Sequence, residues 1–199
     1  MKEEVTRMRV RCKRCMYLVY FFLALIMLQL LVGALNTIGT LSKDSEACSV
    51  TYESGAWHYK EAYLGERHVG ESLVPYQNAQ YSSKTFVVTF TFLDLLVNVL
   101  PWLFILLGTR KILMDTKKNY SPFVGKGSKW LRMIGVLCIL QGLFSNFVIQ
   151  AGMSTIVFGN LIIRNPLDLA NVLVGMLVLV LVEIFQYGGL LQEEQDTTL

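Results

Sequence analysis

The chain has 199 residues, 53% of them hydrophobic and 17% charged, with a mean hydropathy of +0.46. That balance leaves little polar chain for a separate soluble domain and points to a single membrane domain spanning 1–199. The net charge of +3 does not indicate nucleic-acid binding, because 13 of the 18 Lys and Arg lie in 1–14 and 110–132, beside the ends of apolar runs, where they act as topology signals.

Four apolar stretches cover about 16–38, 85–109, 130–152 and 167–190. Each is long enough to cross a hydrocarbon core of about 30 Å, and a spanning backbone that must bond to itself is helical. The expected fold is an all-α membrane protein, a bundle of four transmembrane helices in the lipid bilayer. Cations concentrate before the first stretch and between the second and third. The 39–84 segment instead carries four cations against six acids, and 153–166 only Arg164. The positive-inside bias therefore predicts a multi-pass protein of the cell membrane with both termini and the 110–129 loop cytoplasmic.

The first span opens on Tyr17, Tyr20, Phe21 and Phe22, rings suited to the membrane interface. It reads as an anchor, with Gln29 as a polar contact to a neighbouring helix. It is too long for the core of a secretory signal and is expected to stay in the protein. Cys12 and Cys15 form a C-x-x-C with no second pair or nearby His, so no metal site is assigned. Cys48 stands apart from the other cysteines and Cys138 falls inside a span, which leaves no disulfide framework.

In the 39–84 loop, Cys48-Ser-Val-Thr-Tyr-Glu and Ala56-Trp-His-Tyr-Lys flank the turn signal Ser54-Gly55. A small extracellular β-hairpin is expected there, either capping the helices or binding an outside ligand. His58 and His68 lack a third ligand at metal spacing and are left unassigned.

The second span holds Thr91, Asp94, Asn98 and Pro101 on one helical face. A carboxylate near mid-membrane should face the protein interior, and Pro101 should kink the helix. The third span carries Gly135, Cys138, Gly142, Ser145 and Asn146 at three- to four-residue spacing, with Gln141 and Gln150 nearby, a pattern that predicts close packing on the second helix. Asp94, Asn98, Gln141 and Asn146 could line a polar pocket; the simpler alternative is that their amides bond helix to helix. The fourth span opens on Asn165-Pro166-Leu167-Asp168, with Pro166 expected at the first helical position. Near its other end, Glu183 is expected to form a structural ion pair with Arg132.

Asn171-Val-Leu-Val-Gly-Met-Leu-Val-Leu-Val-Leu-Val-Glu-Ile-Phe-Gln-Tyr-Gly188 and the tail Leu190-Leu-Gln-Glu-Glu-Gln-Asp-Thr-Thr-Leu199 resemble the end of the YoaS-like bacterial membrane proteins, a family of unknown function. Those proteins finish on a helix of the form G-L-x-x-x-x-L-A-E-x-F-x-x-G and a tail like E-x-D-L-T-V; here Thr197 stands where Leu is usual. Ser121-Pro-Phe123 and Lys129-Trp-Leu-Arg-Met-Ile-Gly135 are similar to a second piece, so that the resemblance covers about a third of the chain and none of the 39–84 loop. It implies four helices with both ends cytoplasmic. Such proteins are often encoded beside a small Xre-type helix-turn-helix regulator, which implies a sensor or sequestration partner for a cytoplasmic transcription factor.

On that reading the candidate partner surface is Ser121-Pro122-Phe123 with Glu193, Glu194, Asp196 and Thr198 in the tail; the alternative for the tail is a solvated C-terminus. A small transporter using the Asp94 pocket, or a bacteriocin-immunity protein, is the competing class. No span carries a Gly-x-Ser-x-Gly, a His-Glu-x-x-His or paired aspartates. The expectation is therefore a non-enzyme with no catalytic residue, cofactor or metal and no direct nucleic-acid contact, and a homo-oligomer is compatible with the sequence.

Overall fold

The computed structural model describes residues 2–42, 49–53, 56–61, 65–69, 82–119, 127–161, 163–164 and 167–197. Cys48, Ser54-Gly55, Ser121-Pro122-Phe123, Asn165-Pro166 and Thr198 lie outside the described residues, as do the side chains of Glu193 and Asp196.

In chain order the elements are α1 (Lys2–Ser42), β1 (Ser49–Glu53), β2 (Ala56–Glu61), β3 (Gly65–Val69), α2 (Ser83–Asp94), a π-helical turn (Leu95–Val99), α3 (Leu100–Asn119), α4 (Gly127–Ile156) and α5 (Leu169–Thr197). Among the described residues, four helical stretches are long and apolar enough to cross a membrane: Val10–Ser42, Ser83–Lys117, Gly127–Ile156 and Leu169–Leu190. Two helices outrun their apolar spans. The first continues back through the basic segment to Lys2, and α5 continues through the acidic tail to Thr197. Lys, Arg, Glu and Gln are good helix formers, so nothing local stops either helix where its apolar run ends. Pro166, expected at the first helical position, lies outside the described residues; α5 begins at Leu169, and the Asp168 N–H donates to the Gly142 carbonyl at 2.8 Å.

The chain divides into two compact units. One holds 1–26, 101–140 and 169–199, and the other 27–100 and 141–168.

In the first unit Ile105, Ile134 and Cys138 form a buried cluster flanked by Ile112, Leu137 and Val178. The close approach of α4 and α5 is set by glycine: a Cβ on Gly175 would lie 2.6 Å from the Gly135 carbonyl oxygen and 2.8 Å from the Ile139 nitrogen. Small residues allow such contact where lipid supplies no hydrophobic drive between helices. The expected packing of the third span on the second holds for Ile134 against Gly108, but Gly135 meets Leu179 and Gly175 of the fourth.

In the second unit Phe86, Val87, Ile149, Met153, Val157 and Phe158 form a core against which Val50 of β1 packs. The expected hairpin is present and larger than expected. Three strands pair antiparallel in the order β1-β2-β3, with Glu53 opposite Ala56, Thr51 opposite His58, and His58 opposite His68. The α4 helix ends where Gly159 takes φ +70 and the Asn160 N–H closes onto the Ser154 carbonyl at 3.1 Å, the left-handed stop that glycine adopts without strain.

The exposure pattern is that of a lipid-facing molecule. Phe21, Leu28, Phe104, Phe144, Leu177 and Ile184 are all exposed, while Asn36, Thr40, Gln150 and Ser154 are buried. That inversion is what hydrocarbon as solvent requires.

Candidate functional site

Asp94 closes α2, and Asn98 stands in the π-turn that follows. Asn98 Nδ2 donates to Asp94 Oδ1 at 2.8 Å. Two residues beyond the turn, Pro101 has no N–H to give the Val97 carbonyl. The helix responds over the preceding residues by widening, so that the Leu100 N–H reaches back five residues to the Leu95 carbonyl. The expected interruption at Pro101 thus takes the form of a π-turn. Such turns often mark functional places in helices.

The other two members of the expected pocket lie on α4. Gln141 is buried with its Oε1 unpaired, and Asn146 is half-buried. Among the described residues no hydrogen bond joins either to the Asp94–Asn98 pair. What holds firmly together is therefore the carboxylate and the amide one turn along its own helix.

Buried polar groups also occur where an anchor was expected. Asn36 and Thr40 on α1 are 2% and 0% exposed, and among the described residues neither the Asn36 amide nor the Thr40 hydroxyl has a hydrogen-bond partner. Thr91 Oγ1 on α2 and Gln150 Nε2 on α4 are buried and unpaired as well. Gln150 is otherwise engaged: its Oε1 accepts the Arg164 N–H at 2.6 Å, and its carbonyl accepts the Ser154 hydroxyl at 2.6 Å. Each unmade bond costs about 1–3 kcal/mol, so these buried groups are a cost to the fold as it stands. The signal was in the sequence, since Gly33, Asn36, Thr37 and Thr40 recur at helical spacing.

The structure brings Arg132 of α4 and Glu183 of α5 together: Nη2 and Oε1 meet at 2.8 Å, with side chains 53% and 68% exposed. The acidic positions Glu193, Glu194 and Asp196 lie on the extension of α5, and Glu194 is exposed. Cys12, Cys15 and Cys138 are free thiols.

A protein with four such apolar helices, lipid-facing side chains and a polar interior is a multi-pass integral membrane protein. A family model described as "Protein of unknown function (DUF2975)" matches residues 72–199, and the chain belongs to that family. The match takes in α2 to α5 and leaves out α1 and the three-stranded sheet. No curated protein and no solved structure matches the chain.

Proposed function

We propose that this protein is a membrane-embedded sensor that holds or modulates a cytoplasmic helix-turn-helix transcription regulator through its C-terminal helix. The observation that carries the reading is the unbroken course of α5 from its apolar span, Leu169–Leu190, to Thr197. Seven further residues of helix reach about 10 Å past the span, so a shift of the helix in the membrane would be passed on to the acidic end. No Lys or Arg follows Arg164, and Glu193, Glu194 and Asp196 make this end anionic. An anionic helix suits the basic surface with which a DNA-binding protein meets phosphate, and would compete for it. In this reading both termini are cytoplasmic and the β-sheet faces outward.

The test is recovery of partners from native cells with the full chain or a chain ending at Leu191. A helix-turn-helix protein should accompany the first and be lost from the second; equal recovery would refute the role of the tail.

A second reading, a small transporter, is favoured by one observation: an intramembrane carboxylate bonded to an amide within a π-turn. Flux in proteoliposomes that disappears in Asp94→Asn would replace the first reading with this one.

A further inference from the structure

On the basic side of the first unit, α1 and α3 enclose a groove of about 290 Å³ lined by Met16, Tyr20, Arg110, Met114 and Lys117. Its chemistry is divided. Met16 and Met114 supply flexible, polarisable apolar wall, and Arg110 and Lys117, seven residues apart on α3, supply two positive charges on one helical face. Arg110 is held in position by Tyr20: its Nε donates to the phenolic oxygen at 3.2 Å, and its guanidinium carbon lies 5.6 Å from the ring centroid. That contact engages one of the five guanidinium N–H donors and leaves the terminal amino groups for another acceptor. The phosphate of a lipid is the acceptor that matches a planar guanidinium and a lysine together.

The position agrees with the chemistry. Arg110 and Lys117 fall in the last turns of a stretch apolar enough to span, and Lys13 and Arg14 precede Met16 by one turn or less, so the groove lies where headgroups meet acyl chains. A free anion would use only the cations; the two methionines in the same wall suit a ligand with a hydrocarbon part.

We propose that this groove binds an anionic phospholipid, with the phosphate on Arg110 and Lys117 and the first acyl carbons against Met16 and Met114. The experiment is native mass spectrometry of the full chain, released from micelles containing phosphatidylglycerol or phosphatidylcholine. The wild type should retain phosphatidylglycerol at least tenfold more than phosphatidylcholine, and millimolar inorganic phosphate should not displace it. Arg110→Gln and Lys117→Gln should each weaken retention about fivefold, and the two together by more than tenfold. Lys111→Gln, next along the helix but outside the groove, should leave retention unchanged. Equal retention of the two lipids by the wild type would overturn the proposal whatever the variants do, as would displacement by inorganic phosphate. Equal loss in Lys111→Gln would show general attraction to a basic helix end and would overturn it too.

Discussion

The glycines at the contact of α4 and α5 show how far a single hydrogen atom decides packing in lipid. A methyl on Gly175 would press on the Gly135 carbonyl and the Ile139 nitrogen, backbone atoms that no rotamer change can move aside. Gly175→Ala should therefore lower stability in micelles by about 1–3 kcal/mol, read as a fall in thermal midpoint. Gly159→Ala meets open space and costs only the strain of φ +70, about 1 kcal/mol. Asn36 is the opposite case, a buried amide with no hydrogen bond among the described residues. Replacing it by Leu removes an unpaired amide from the interior and should raise the thermal midpoint; a fall would mean that the amide has a ligand when the protein is in its membrane. Arg132 near the start of α4 and Glu183 within the apolar span of α5 are both exposed, and an exposed pair is worth about 0.5–1 kcal/mol. A double-mutant cycle with Arg132→Ala and Glu183→Gln should return a coupling of that size, and zero coupling would leave the contact without consequence.

At the scale of elements, what the sequence disclosed depended on how much apolar area an element buries. The four spans were legible because twenty consecutive apolar residues admit no other structure in lipid. The β1-β2 hairpin was legible from its turn signal and its aromatic, β-branched strands. The third strand was not, since Gly65-Glu-Arg-His-Val69 has little strand propensity of its own and takes its form from pairing along β2. The extensions of α1 and α5 were hidden for a related reason: hydropathy marks where lipid begins, and a helix of Arg, Lys or Glu needs no lipid. Of the expected polar pocket, the Asp94–Asn98 contact followed from a four-residue spacing, whereas a link to Gln141 and Asn146 depends on how two helices are rotated, which spacing within one helix does not determine. The π-turn makes its own prediction. Asn98→Ala strips the carboxylate of its donor and should destabilise by about 1–3 kcal/mol, while Asp94→Asn keeps an acceptor oxygen for Asn98 and should cost less. Equal losses would show that the charge, rather than the hydrogen bond, is what matters at Asp94.

For the molecule as a whole, the family relation divides the chain in a way that bears on function. The family match begins at residue 72, so it takes in α2 to α5, while α1 and the sheet lie outside it. The proposed sensor takes its output from the end of α5, inside the matched region, and its input from the sheet, outside it. That arrangement stands or falls with topology, because the proposed output requires the end of α5 in the cytoplasm and the proposed input requires the sheet outside. The direct measurement is labelling of single cysteines by a membrane-impermeant thiol reagent in intact cells, in a background with Cys12, Cys15, Cys48 and Cys138 replaced by serine. Thr51→Cys in β1 should label at once, and Glu194→Cys in α5 only after the membrane is made permeable. Labelling of Glu194→Cys in intact cells would contradict the account.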